Sequence, residues 1–332
     1  MSFELIVTLG PSVMNAGRLR RIAAKTDCLF RINGAHVSQV AQARDMIMFV
    51  RKCLPDAKIL IDLPGNKIRV AHLDEPIPLA SGRTFSLFHH QFNYEGFHRL
   101  LQLGQTVLAN DSLFRFEVKR IESTHIEFLS HSDGELLNNK GFHLQGGAPV
   151  LPFLFSKDRE LIDLGIEQKI HALGLSFIRT AADVAAARSA IASNDIRLIG
   201  KIETLAAIEN LDPILEQLES ILIDRGDLSA ESGMLELPRL QHLILTSARK
   251  RGIRVFLATQ FLRNMTANPV PLIAEAIDLY NTLRLDVSGL QLSEETAIGH
   301  YPEECVNFVM QMKGLIARES YPPESLRRKA GR

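Results

Sequence analysis

Short apolar, β-branched runs alternate with longer helical patterns eight times along this 332-residue chain, polar residues stand at nearly every run's end, and one interval breaks the rhythm. Those three observations predict an α/β protein: a (β/α)8 TIM barrel with a small all-β domain inserted after the third barrel strand. Glu4–Leu9, Cys28–Ile32 and Lys58–Asp62 read as the first three strands, separated by helical patterns at Ala16–Lys25 and Val37–Lys52. After the interruption come strands at Leu173–Phe177, Arg197–Ile202, Ile221–Ile223, Arg254–Ala258 and Asp286–Leu292. Helical patterns separate them at Asp158–Gln168, Ala181–Ala192, Leu205–Gln217, Leu237–Arg251 and Val270–Leu283. Eight such units favour a closed barrel over an open sheet.

The interruption has little helical periodicity. Its short alternating segments (Thr84–Phe88, Thr106–Ala109, Arg115–Lys119, His125–Ser130) are divided by turn-formers such as Ser81-Gly82 and Asp133-Gly134. The expected organisation is therefore a catalytic barrel at 1–69 and 151–320, a β-barrel-like lid domain at 70–150, and a flexible tail at 321–332. Phe85, Phe88, Phe92 and Phe97 are expected to form the small domain's core. His89-His90 reads as exposed histidines in a β-segment.

Bulk composition excludes several classes. Lys plus Arg equals Asp plus Glu at 38 each, which argues against a nucleic-acid partner. The late cations Arg327, Arg328, Lys329 and Arg332 read as a solvated tail. No stretch approaches the ~18 apolar residues of a membrane span, and the first residues lack a basic-then-apolar leader. Cys28, Cys53 and Cys305 are scattered without CxxC spacing, so neither zinc nor a disulfide framework is expected, and a cytoplasmic setting follows.

Active sites of such barrels lie at the C-terminal ends of the strands. The polar residues there are Thr8; Arg31, Asn33 and His36; Asp62 and Arg69; Ser176 and Arg179; Lys201 and Glu203; Asp224, Arg225 and Asp227; Thr259 and Gln260; Ser293 and Glu295. Glu203 and Asp227 offer hard oxygen ligands that suit Mg²⁺ or Mn²⁺. Strand alternation puts Lys201 on the same face as Glu203, where its point charge can hold a transferring phosphoryl oxygen. Arg31 and Arg69 add forked donors for phosphate or carboxylate. The backbone N–H groups of Arg225-Gly226-Asp227 can cradle an anion. Together these imply a small, anionic, phosphorylated substrate.

The segments TLGPS (Thr8–Ser12), RINGAH (Arg31–His36), IDLPGNKIR (Ile61–Arg69) and SFIR (Ser176–Arg179) resemble the pyruvate kinase family, in order. So do GKIET (Gly200–Thr204), DRGDL (Asp224–Leu228), ATQ (Ala258–Gln260) and LSEETAIG (Leu292–Gly299), while NKGFHLQG (Asn139–Gly146) matches the family's return from inserted domain to barrel. The resemblance implies transfer of the phosphoryl group of phosphoenolpyruvate to ADP, giving pyruvate and ATP. Lys201 would stabilise the phosphoryl group in flight, Glu203 and Asp227 would hold the metal, and Arg31 and Arg69 would contact the phosphate. Thr259 falls near proton transfer to the enolate, with Ser293 and Glu295 as a distal polar relay. Gly226 joins Arg31, Lys201, Asp227 and Thr259 in binding substrate; Pro11, His36 and Lys140 fall where the family touches the nucleotide. Asp111 matches one acid of an inserted-domain motif.

The chain also departs from the family. It ends where a C-terminal effector domain would begin, so regulation through that domain is not expected, and the remaining barrel–barrel interface is expected to support at most a homodimer. In the monovalent-cation region, Asn33 and Asp62 are kept, but Ala35 replaces a serine and Lys67 a glutamate; potassium is not expected to be required. Ile298, Leu272, Ile273 and Pro64 replace polar or cationic residues near the phosphoryl acceptor. Asp224 replaces a small residue. It would repel a substrate carboxylate unless protonated, turned away or paired with Arg225, or it serves as an added acid–base or metal group. A metal-dependent lyase or aldolase acting on a pyruvate enolate, and a non-catalytic paralogue, are the rival readings.

Overall fold

The computed structural model describes residues 3–110, 113–144, 151–192 and 195–320. Asp111, Gly146-Gly147 and the tail at 321–332 lie outside the described residues. Contacts cluster into two units, one made of the residues up to Leu63 and from Lys157 onward, the other of Pro64–Ser156.

The first unit is a closed parallel barrel. Its strands are β1 (Glu4–Thr8), β2 (Cys28–Asn33) and β3 (Lys58–Asp62), then, after the seven strands β4–β10 of the other unit, β11 (Ala172–Leu175), β12 (Arg197–Ile202), β13 (Ser220–Asp224), β14 (Arg254–Ala258) and β15 (Gly289–Leu292). β1 pairs with β2 on one side and β15 on the other, which closes the ring. Helices intervene: α1 (Ala16–Ala23), α2 (Val40–Cys53), α3 (Ser156–Glu167), α4 (Ala181–Ile191), α5 (Leu205–Glu209), α6 (Leu211–Leu215), α7 (Arg225–Ser232), α8 (Leu237–Lys250), α9 (Ile273–Arg284), α10 (Glu294–Ala297) and α11 (Pro302–Ser320). The single pattern expected over Leu205–Gln217 is broken at Asn210, whose φ of −108° and ψ of 25° end α5 and begin α6. The last helix, α11, opens on a proline and buries Cys305, Val306 and Val309.

The barrel interior is layered. Ile6, Leu29, Leu60, Ala172, Ile199, Leu222, Phe256 and Ala258 form one buried apolar cluster drawn from seven strands. At β15 the inward space is filled from next door, because a Cβ on Gly289 would fall 2.7 Å from the Phe256 ring and 1.9 Å from the Glu4 carbonyl oxygen. Two residues before these positions lie Glu4, Lys58, Arg197 and Arg254, where the buried Glu4 carboxylate takes Arg197 at 2.7 Å and Arg254 at 3.4 Å. Two residues after them lie Thr8, Arg31, Asp62, Gly174, Lys201 and Asp224. Because strand side chains repeat every second residue, the apolar layer also fixes which polar residues face the barrel axis above and below it.

The second unit is built on β-structure. β5 (Thr84–Phe88), β6 (Thr106–Ala109), β7 (Phe114–Ile121), β8 (His125–Ser130) and β10 (Phe142–Leu144) form a five-stranded antiparallel sheet, and β4 (Ile77–Leu79) pairs with β9 (Gly134–Leu136). Among the described residues the outermost strands of the five-stranded sheet are β10 and β5. Phe92, Phe97, Phe114, Phe116, Phe128 and Phe142 are buried in its core. Phe88, expected there, is 45% exposed; alternation along β5 turns Leu87 inward instead, and Phe88 stacks outside on His90. Arg69 bridges Gly141, and its Nη1 donates to the Asn139 carbonyl, so the segment from Pro64 to Arg69 belongs to this unit. No helix among the described residues is long and apolar enough to cross a membrane.

Replacing Gly289 by alanine sets a Cβ against a backbone carbonyl at the seam that closes the barrel, so Gly289→Ala should destabilise the fold by about 1–3 kcal/mol. A fall in the urea midpoint with unchanged m-value would show it; an unshifted midpoint would mean that β15 does not pack as described.

Candidate active site at the barrel mouth

Above the apolar layer, four carboxyl side chains surround two cations. Arg31 is buried and donates from Nε to Asp62 Oδ2 at 2.9 Å, from Nη2 to the same oxygen, and from Nη1 to Thr8 Oγ1 at 3.0 Å. Lys201 Nζ is buried 2.9 Å from Glu203 Oε2, 3.4 Å from Asp224 Oδ2 and 3.8 Å from Asp62 Oδ2, and it donates to Ser176 Oγ at 3.2 Å. Gly174 makes room, since a Cβ there would fall 2.3 Å from Asp62 Oδ1. Burial works to lower the Lys201 pKa, but the Asp62, Glu203, Asp224 and Asp227 carboxylates outweigh it and hold the ammonium protonated.

Glu203, Asp224 and Asp227 each offer an oxygen, and those three atoms lie within 4.8 Å of one another. Glu203 is fully buried. Its Oε1 accepts from the Phe177 backbone N–H at 2.8 Å, while Oε2 is ion-paired with the Lys201 ammonium at 2.9 Å. Formally, four carboxylates against Arg31 and Lys201 leave an excess of two negative charges. An all-oxygen donor set with that excess fits a divalent hard cation. In the metal-free protein the excess is eased by a proton: burial, with Asp227 and Asp224 adding to it against the opposing pull of Lys201, pushes Glu203 up to about 8.

Asp224 is the residue that sequence reasoning left undecided. It does not pair with Arg225. Its Oδ1 accepts from Thr259 Oγ1 at 2.6 Å and from the Gly226 N–H at 3.2 Å, capping α7. Burial would raise its pKa, yet Lys201, the Thr259 hydroxyl and Arg31 together hold it below the usual carboxylate range. Arg225 turns instead to Asp278 at 2.7 Å, stacks on the Phe261 ring at 4.1 Å, and donates to the Ala258 and Thr259 carbonyls. Those bonds hold a strained turn, in which Thr259 and Gln260 take φ of 84° and 59°. Such angles cost a β-branched residue about 1–3 kcal/mol and are characteristic of functional sites.

The other expected site residues fall into three groups. Pro11, Arg31, Asn33, His36, Ser293 and Ile298 line one cavity of about 290 Å³. Glu295 is buried and bonded to backbone, accepting from the Ser293 and Leu262 N–H groups, so it shapes the β15–α10 turn rather than facing open space. Asp62, expected in a monovalent-cation region with Asn33, is ion-paired with Arg31; Asn33 Oδ1 accepts from the Ala35 N–H. Lys67, Arg69 and Lys140 belong to the second unit. A larger hollow of about 520 Å³ is lined by Ala23–Cys28 and Leu54–Lys58, at the N-terminal rim, opposite the face where such barrels do chemistry.

Three carboxylates, Asp62, Glu203 and Asp224, thus lie within 4 Å of the buried Lys201 ammonium at the mouth of a closed parallel barrel. The family is shown by comparison: residues 2–306 match the pyruvate kinase barrel-domain model, and the chain belongs to the pyruvate kinase family. Its relatives include the pyruvate kinase of Aeropyrum pernix, 28% identical over 97% of this chain and 72% of that protein. The pyruvate kinase of Bacillus licheniformis is 30% identical over 91% of this chain, which spans 55% of the relative's length. That of Thermococcus litoralis is 28% identical over 93% of this chain and 68% of its own.

Because Glu203 in the metal-free protein binds a proton up to about pH 8, a divalent cation must displace it. Below that pH, Mn²⁺ affinity should rise with pH by up to about tenfold per unit for one proton, and it should level off above. Calorimetry at pH 7 in two buffers of different ionisation enthalpy should show close to one proton released; no release would remove Glu203 as the titrating ligand.

Proposed function

We propose that this protein is a divalent-metal-dependent phosphotransferase of the pyruvate kinase type, moving the phosphoryl group of phosphoenolpyruvate to ADP. The observation that carries the reading is Lys201, a buried ammonium held protonated between Glu203 and Asp224 at the barrel mouth. A divalent cation held by Glu203 and Asp227 would neutralise the phosphoryl and carboxylate oxygens crowding the site.

In this reading Lys201 Nζ holds a phosphoryl oxygen while the bond to the enolate oxygen breaks and a bond to the acceptor forms. Arg31, with three of its N–H donors committed to Asp62 and Thr8, is a rigid fork that positions the same group. The enolate left behind takes a proton at its methylene carbon, with the Thr259 hydroxyl and Ser293 as the polar groups offered for that step and Glu295 holding the turn that carries Ser293. Pro11 and His36, which line the cavity beside Arg31, would meet the nucleotide. Gly226 leaves space beside Thr259, since a Cβ there would fall 3.0 Å from its methyl group.

A second reading, transfer to a different acceptor, is favoured by apolar residues where basic ones would serve a nucleoside diphosphate: Ile298 and Ile273 are 61% and 82% exposed. The protein would act in the cytoplasm, as a monomer or a homodimer through the barrel.

A coupled pyruvate-release assay with phosphoenolpyruvate, ADP and Mg²⁺ should give turnover that does not depend on potassium. Lys201→Met should lower it by at least ~10²-fold while phosphoenolpyruvate still binds. Turnover with some other acceptor but no nucleoside diphosphate would select the second reading; no pyruvate with any acceptor would defeat both, and a strict potassium requirement would overturn the role given to Lys67.

A further inference from the structure

The N-terminus of α7 is shaped to receive an anion, and it already holds one. The Gly226 N–H and the Thr259 hydroxyl converge on Asp224 Oδ1, at 3.2 and 2.6 Å, and the Lys201 ammonium stands 3.4 Å from Oδ2. Helix N-termini bind carboxylates because their first N–H groups lack partners and the helix dipole is positive there. Glu203 belongs to the same carboxylate cluster, and its Oε2 stands 2.9 Å from the Lys201 ammonium, so the space beside Asp224 is ringed by charges that are already paired. Gly226 keeps that space open, since a Cβ would crowd both Thr259 and Asp224 Oδ1.

We propose that Asp224 is a specificity-determining residue, an internal carboxylate seated in the anion cradle of α7, so that a ligand carboxylate enters only by displacing it. The donors are a backbone N–H, a hydroxyl held by a turn that Arg225 anchors, and an ammonium already shared among acids. None can serve two carboxylates at full strength. A second anion beside Asp224 therefore meets like-charge repulsion as well as occupied donors. Displacement is open to Asp224 because its side chain keeps 13% of its surface, whereas that of Glu203 keeps 0%. The inference takes from the proposed function only the expectation that a carboxylate-bearing ligand is offered to this mouth; it does not depend on phosphoryl transfer or on the acceptor.

Oxalate is a suitable probe, being a small dianion that carries a carboxylate for the cradle and further oxygens for a metal. The chain has no tryptophan, so calorimetry is the natural measurement. Oxalate is titrated into wild type, Asp224→Ala and Asp224→Asn, each saturated with Mn²⁺, with Mn²⁺ alone titrated as the control. Removing the resident carboxylate should tighten oxalate binding by at least about tenfold in Asp224→Ala, while Mn²⁺ alone binds more weakly because a nearby carboxylate is gone. Asp224→Asn, which keeps the shape and loses the charge, should lie between. Equal or weaker oxalate binding in both variants would overturn the proposal and make Asp224 a plain metal ligand, as would failure of all three proteins to bind oxalate. If Asp224→Ala does not fold, Asp224→Asn decides alone, by tightening or not. Absence of phosphoryl transfer in the wild type would defeat the kinase reading and leave this comparison intact.

Discussion

The structure turns on one buried electrostatic arrangement, the Lys201 ammonium and the Arg31 guanidinium enclosed by Asp62, Glu203, Asp224 and Asp227. Taking charges out of water costs several kcal/mol per ion unless partners compensate, and removing one partner from such a set typically costs about 3–5 kcal/mol. Every nearby feature serves that compensation. Gly174 lacks a side chain where Asp62 must fit. Ser176 accepts a hydrogen bond from Lys201, and Thr8 accepts one from Arg31. The apolar layer beneath keeps these ions at the mouth, because the next inward position along seven of the eight strands is a Leu, Ile, Phe or Ala.

The same arrangement explains the backbone strain. Carboxylates that must converge need chain reversals directly after the strands, and Phe177, Thr259 and Gln260 all take left-handed angles there. Two of them are tied directly: the Phe177 N–H to Glu203, and Thr259 through its hydroxyl to Asp224 and its carbonyl to Arg225. Arg225 itself is fixed by Asp278 and the Phe261 ring. Strain at the mouth is thus held by packing around it, which keeps the acid cluster assembled before any ligand arrives. At the opposite end, Glu4 with Arg197 and Arg254 makes a second ionic layer, and its place on the N-terminal face assigns it to stability.

What the chain alone determined was the architecture and the cast. Alternation of β-branched runs with helical patterns placed all eight barrel strands, because strands buried on both faces read as short continuous apolar runs against the 3.6-residue period of the helices. Lys201 and Glu203 were legible as neighbours, two residues apart on one strand end. Tertiary structure decided the pairings. That Asp62 belongs to Arg31, that Glu295 bonds to backbone, and that Asp224 sits in the helix cradle rather than on Arg225 all depend on residues 31 to 35 positions apart brought together by neighbouring strands and the turns after them. Such contacts leave no periodic trace. Phe88 shows the same limit on a smaller scale, since a one-residue step along a strand exchanges core for solvent and composition cannot tell the two apart. Local periodicity is written in the chain; which charge neutralises which is written only in the closed barrel.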